Sequence, residues 1–99
     1  MNEQKPLSFD LELDAEVGQG HYSNLAVISH SASEFIIDFA TMLPGLPKAK
    51  VSSRIILTPE HAKRLLLSLQ DNISRYESNV GRIEIIQRQA PDTAMNKVV

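Results

Sequence analysis

The 99-residue chain contains no cysteine, which excludes a disulfide scaffold, a thiol nucleophile and every cysteine-type zinc site. No apolar run approaches the roughly 18 residues of a membrane span, and residues 1–6 lack the apolar stretch of a signal peptide. Asp and Glu outnumber Lys and Arg by 12 to 10, so no overall basic field points to nucleic acid. We therefore expect a cytoplasmic protein.

Apolar and polar residues alternate in four segments, which is the pattern of half-buried strands. The segments are residues 7–14, 22–30, 34–40 and 49–57. The first segment has an acidic outer row and the fourth a basic one, which would suit neighbouring strands without fixing the strand order. The short polar connection between the second and third segments predicts an antiparallel hairpin.

A strong helix start follows the fourth predicted strand. Thr58 can cap the helix, Pro59 suits the first helical position, and Glu60 lies at the positive end of the helix dipole. Apolar residues then recur at spacings of four and three, which predicts one amphipathic helix of about six turns ended by Gly81. The residues of this apolar series are Ala62, Leu66, Leu69, Ile73, Tyr76 and Val80.

The resulting order, β-β-β-β-α, predicts an α+β fold in which a four-stranded antiparallel sheet is followed by one long C-terminal helix. We expect residues 7–82 to form a single domain, preceded by a flexible N-terminus at residues 1–6. Residues 83–99 are expected to contribute one short strand at most and then a disordered tail.

The two faces of this sheet are predicted to differ in what covers them. Phe35, Ile37 and Phe39 are expected to pack against Leu66 and Leu69 of the helix. A helix covers only one side of a sheet, so the apolar residues of the other side would meet water or another surface. The candidates for a partner or oligomer interface are therefore Ala26, Ile28, Ile36, Ala40 and Ile56, with Leu67 of the helix. A bulge or a misassigned strand face is the alternative explanation of this patch.

No group of residues has the spacing of a catalytic, metal or cofactor site. His21, His30 and His61 form no His-x-His or His-Glu-x-x-His arrangement. Three serines surround His30, but no third orienting group or oxyanion site accompanies them. We expect no catalytic residue, no metal ligand and no cofactor, and hence a protein that is not an enzyme.

One basic patch is the main electrostatic feature of the chain. Its members are Lys48, Lys50, Arg54, Lys63 and Arg64. No aromatic residues are interleaved with them, so an ordinary charged surface is the simpler interpretation and weak nucleic-acid binding is the alternative.

Several stretches of the sequence resemble the bacterial family known as domain of unknown function 3467. They are Tyr22–Ser31, Ser33–Ala40, Leu43–Gly45, Ala49–Val51 and Arg54–Arg64, and the resemblance covers residues 7–82. The family implies no activity and no site residues. The element order is also similar to that of the export chaperone SecB, whose subunits assemble as dimers of dimers and bind unfolded clients.

These observations favour a small, oligomeric, non-enzymatic protein-binding module, with a chaperone-like role as one form of that binding. The expected partners are a second copy of the chain and a client or partner protein, and no membrane. For members of the family that the chain resembles, the genes are associated with genes for the transcription machinery. An accessory subunit of a larger assembly such as RNA polymerase is therefore one alternative function, and a weak nucleic-acid binder is the other.

Overall fold

A computed structural model describes residues 9–86 and 97–99 of the chain. The elements are α1 (Ala15–Gly18), β1 (Leu25–His30), β2 (Phe35–Thr41), β3 (Lys50–Leu57), α2 (Pro59–Asn79) and the two-residue β4 (Lys97–Val98). The fold is therefore α+β, with a three-stranded antiparallel sheet followed by a helix. The N-terminus expected at residues 1–6 lies outside the described residues. Of the disordered tail expected from residue 88 onward, only residues 97–99 are described, and Lys97–Val98 form β4. Residues 81–86 form no strand.

Strands β1 and β2 form the antiparallel hairpin that the short connection predicts, with His30 opposite Phe35. Strand β2 also pairs antiparallel with β3, and the register shifts by one residue between Phe39 and Ala40. The short β4 lies beside β1, so the spatial order is β3-β2-β1-β4. Strand β3 consequently forms one edge of the sheet.

Side-chain hydrogen bonds close the open end of the β1–β2 hairpin. The Asn24 side chain donates to the carbonyl of Met42 and accepts from its N–H, both at 2.9 Å. The Ser23 hydroxyl lies 3.0 Å from the carbonyl oxygen of Ala40 and donates to it. These bonds extend the strand pairing and hold the register that decides which residues share a face.

Helix α2 begins as the sequence predicts. The Thr58 hydroxyl accepts a hydrogen bond of 3.1 Å from the backbone N–H of His61, and Pro59 occupies the first turn. The helix ends at Asn79, after which the N–H of Val80 donates to the carbonyl of Tyr76 at 2.7 Å. Gly81 follows with a φ of 153°, a value that glycine adopts readily.

Helix α2 does not cover the sheet, so the predicted packing of Leu66 and Leu69 on Phe35, Ile37 and Phe39 is wrong for a single copy. Both leucines are more than half exposed. The reason lies in the connection between strand and helix. A single residue separates β3 from α2, and it is extended at φ −70° and ψ 155°, as a residue before proline prefers. The helix therefore leaves the end of β3 without turning back.

Residues 9–14 do not form the strand that their alternation predicts. They lie along no neighbouring strand, and each is exposed. They lead into α1, where the N–H of Gly18 donates to the carbonyl of Asp14 at 2.8 Å. Alternation of apolar and polar residues makes a segment suitable for a half-buried sheet, but the segment forms a strand only if it can pair with the edge of another strand. No strand in the described part of the chain pairs with this segment.

Candidate protein-binding surfaces

The strand register divides the predicted interface residues between the two faces of the sheet, because residues paired across antiparallel strands point to the same side. The Phe39 face consists of Ala26, Ile28, His30, Phe35, Ile37, Phe39, Ser53, Ile55 and Leu57. The Ile36 face consists of Leu25, Val27, Ser29, Ile36, Asp38, Ala40, Val51, Arg54 and Ile56. The predicted residues Ala26 and Ile28 lie on the first face and Ile36, Ala40 and Ile56 on the second. They do not form one patch.

The Phe39 face is the more apolar of the two. Three isoleucines lie side by side across its centre, since Ile37 pairs with both Ile28 and Ile55. At one end, the rings of His30 and Phe35 stack with centroids 5.2 Å apart. Ile28 and Ile37, which the sequence predicts on opposite sides of the sheet, thus share one apolar surface.

The Ile36 face carries an ion pair at its centre. Arg54 donates to both carboxylate oxygens of Asp38, from Nε at 2.6 Å and from Nη2 at 2.9 Å. This hydrogen bonding lowers the pKa of Asp38 and raises that of Arg54. The bidentate geometry locks the β2–β3 register at this position.

Helix α2 presents an apolar stripe that no described residue covers. The α2 stripe consists of Ala62, Leu66, Leu69, Ile73, Tyr76 and Val80. From Leu66 onward its members are 40–69% exposed. An amphipathic helix normally buries such a stripe, which makes this the most unusual surface of the chain. Leu67 lies on the same helix, away from the stripe, and is also exposed.

The outer edge of β3 is also open, and we refer to it as the β3 edge. Within residues 9–86 and 97–99, no strand pairs with it. Six of the eight residues of β3 are exposed. An open edge presents unpaired backbone N–H and C=O groups, which can pair with an added strand. Alternation in the sequence does not show which strand lies at an open edge, because that depends on the order of the strands in the sheet.

The structure pairs two of the five cations of the predicted basic patch with carboxylates. Arg54 binds Asp38, and Arg64 donates to Glu60 at 2.6 Å, which lowers the pKa of Glu60. The three lysines are spread over the loop before β3 (Lys48), the start of β3 (Lys50) and α2 (Lys63). The patch is therefore less concentrated than the sequence suggests.

We searched the described residues for a metal-binding cluster and for a pocket. Among them, no three His, Asp or Glu side chains lie close enough together to hold a metal ion. A hollow beside α1 is lined by Glu16, Val17 and residues 19–21, all neighbours in the sequence, so it brings no distant side chains together. No helix in the described part of the chain is long and apolar enough to cross a membrane.

Comparison with known families gives one match. Residues 1–85 match the family model described as Protein of unknown function (DUF3467), which confirms the resemblance seen in residues 7–82. The matched range includes α1, α2 and strands β1–β3, and thus every surface described above. No curated protein and no solved structure gives a significant match.

Proposed function

The chain belongs to the DUF3467 family of proteins of unknown function, and we propose that it is a non-enzymatic protein-binding module that works as a homo-oligomer. The observation that carries this proposal is the exposed α2 stripe. The α2 stripe of one copy would pack against the α2 stripe of a second copy. The sheet faces and the β3 edge then remain available for further protein contacts.

The spacing of the α2 stripe is that of a coiled-coil seam. Its residues follow one another at alternating intervals of four and three, and this seven-residue repeat keeps them in line when two helices wind around each other. Leu66, Ile73 and Val80 take the first apolar position of the heptad, and Ala62, Leu69 and Tyr76 take the second. The seam spans more than two heptads.

Charge complementarity favours an antiparallel pair. In that arrangement Leu69 packs against Ile73 of the second copy, and Leu66 against its Tyr76. Lys63 and Glu77 flank the stripe and face each other across the pair, twice per dimer. A parallel pair would place Glu77 beside Asn72 and would leave Lys63 without an opposite charge.

The area of the stripe sets the strength of this contact. Five half-exposed apolar side chains contribute roughly 80 Å² each, or about 800 Å² over both copies, which is below the roughly 1,200–2,000 Å² of a stable interface and in the range of a weak one. At about 25 cal/mol per Å² this burial is worth about 20 kcal/mol, against an association cost of ~4–15 kcal/mol and further side-chain ordering. We therefore expect a dimer that single substitutions can dissociate.

Charge reversal tests the antiparallel pair. Lys63→Glu and Glu77→Lys each turn two attractions into repulsions, so each should weaken association by roughly 5–30-fold at about 0.5–1 kcal/mol per pair. The double variant should recover most of the lost affinity. Lys48→Glu, which makes the same charge change outside the helix, is the control. Light scattering across a dilution series measures the effect.

Two results would contradict the pairing. One is a wild-type protein that stays monomeric at tens of micromolar. The other is a double variant that associates no better than the single variants, since opposite charges would then not face each other. Circular dichroism of each variant shows whether the helix is still formed.

The protein partner of the oligomer distinguishes a chaperone-like role from an accessory role. Purification from a lysate that recovers many unfolded chains supports the chaperone-like role and the SecB-like arrangement. One stoichiometric complex supports an accessory subunit of an assembly such as RNA polymerase. Recovery that nuclease treatment abolishes would support weak nucleic-acid binding through Lys48, Lys50 and Lys63 instead.

A further inference from the structure

We propose that residues 9–14 of one copy add as a strand to the β3 edge of a second copy. The contact is separate from the α2 stripe and does not depend on it. It would supply the fourth full-length strand of the sheet from another molecule. Three observations carry it: the pattern of the segment, the open edge, and the opposite charges of the two.

Residues 9–14 have the composition of a strand without the environment of one. The apolar residues Phe9, Leu11 and Leu13 alternate with Asp10, Glu12 and Asp14. The three apolar side chains are 60–87% exposed, the highest exposure of any such series among the described residues. A segment with one apolar and one charged row is suited to the edge of a half-buried sheet. No strand among residues 9–86 and 97–99 pairs with it.

No strand of the described residues pairs with the β3 edge, and the positive charge of this edge favours pairing with an acidic strand. Lys50 and Arg54 are both exposed on β3. Two copies of β3 that paired with each other would bring these cations together, which disfavours pairing between identical edges. A strand with an acidic row, such as that of Asp10, Glu12 and Asp14, would instead place a carboxylate opposite Arg54.

In one antiparallel register, the apolar row of the segment lies on the Phe39 face and its acidic row on the Ile36 face. With Glu12 opposite Arg54, Leu11 lies opposite Ile55 and Phe9 opposite Leu57. The apolar row then extends the Phe39 face, to which Ile55 and Leu57 belong. The acidic row extends the Ile36 face, where Glu12 joins the ion pair of Arg54 and Asp38. A shift by one residue would reverse both matches.

The connection between the segment and β1 favours a second copy over the same chain. Strand β1 lies two positions from β3. Pairing within one chain would require residues 15–24 to cross the sheet, but α1 lies in this stretch and none of its residues is buried. Pairing between copies leaves that connection unchanged, and a two-fold exchange satisfies both edges and closes the assembly.

Disulfide trapping tests this contact, and the chain has no cysteine to interfere. Residues directly opposite in an antiparallel pair have Cα atoms roughly 4.5–5.5 Å apart, within the range of a disulfide. A Leu11→Cys protein is mixed with an Ile55→Cys protein under mild oxidation, and mass spectrometry measures the mixed dimer. Leu11 and Ile55 are both exposed, so neither change should prevent folding.

The control replaces Ile55→Cys by Ile85→Cys. Ile85 is 84% exposed against 43% for Ile55, so random collision favours the control. We expect the Leu11–Ile55 mixed disulfide to form several-fold faster than the control disulfide. Adding Glu12→Lys to the Leu11→Cys protein should slow the reaction, whereas Glu84→Lys, the same charge change at an exposed residue outside the segment, should not.

Two outcomes would overturn the proposal. The first is an equal rate for Ile55→Cys and Ile85→Cys. The second is rapid, concentration-independent closure of a chain that carries both Leu11→Cys and Ile55→Cys, which would place the segment on its own β3. Repeating the trapping with Lys63→Glu added to both proteins separates this contact from α2 pairing, since that change should leave the disulfide rate unaltered.

Discussion

Two leucines of α2 provide a matched test of how the helix is buried. Leu69 and Leu67 are 54% and 57% exposed in a single copy, but only Leu69 belongs to the α2 stripe. In a monomer, Leu69→Ala and Leu67→Ala should therefore have nearly equal, small effects, because alanine suits a helix well. In an antiparallel dimer only Leu69 becomes buried, so only its truncation should weaken the assembly.

The structure gives the size of that difference. Truncating a fully buried leucine costs about 2–5 kcal/mol. About half of Leu69 is already covered in one copy, so pairing accounts for roughly 1–2 kcal/mol per copy and about 2–4 kcal/mol per dimer. Because ~1.4 kcal/mol corresponds to a factor of ten, Leu69→Ala should raise the dimer Kd by roughly 30–1,000-fold. Leu67→Ala should leave it within about threefold.

Sedimentation equilibrium measures the two dissociation constants, and urea unfolding at low and high protein concentration gives an independent comparison. The destabilisation by Leu69→Ala should grow with concentration, since it acts on the dimer, while that by Leu67→Ala should not. Equal shifts from the two variants would refute the assignment of the stripe. A large, concentration-independent loss with Leu69→Ala would mean that the helix packs within its own chain.

Three further predictions concern the folded chain. Leu57→Ala should cost about 2–4 kcal/mol and lower the Tm by several degrees or more, because Leu57 is one of the few buried apolar residues among those described. Thr58→Ala should cost about 1 kcal/mol in urea unfolding, since it removes the acceptor for the His61 N–H. The hydrogen bond from Arg54 lowers the pKa of Asp38 in the folded protein. The Arg54–Asp38 pair should therefore stabilise the fold fully above pH ~3.9, the ordinary Asp pKa, and this stabilisation should be lost as the pH falls through the lower pKa of the folded state. Asp38→Asn should flatten that part of the acid unfolding profile; an unchanged profile would mean that the pair adds nothing to stability.

Local features of the sequence were sufficient to predict the three long strands and the long helix α2. The capping residue Thr58, the following Pro59 and the apolar spacing define α2 within a residue or two of its ends. The four residues between His30 and Phe35 define the hairpin. Each of these signals acts over a few positions, through backbone geometry and near-neighbour hydrogen bonds, so it is present in the sequence itself.

The assignment of faces was not predictable in the same way. Alternation shows that Ala26 and Ile28 share a side, and that Phe35, Ile37 and Phe39 share a side. It does not show that both groups share the same side. The β1–β2 hairpin register decides that, and a change of one residue in this register would reverse the result.

Burial was likewise decided by the tertiary structure. The sequence determined that residues 9–14 and the α2 stripe each carry an apolar row suited to burial. What each row meets depends on where the chain places its other elements. The extended Thr58 directs α2 away from the sheet, and the strand order leaves β3 at an edge. Burial is a property of surfaces distant in sequence, so no local pattern can specify it.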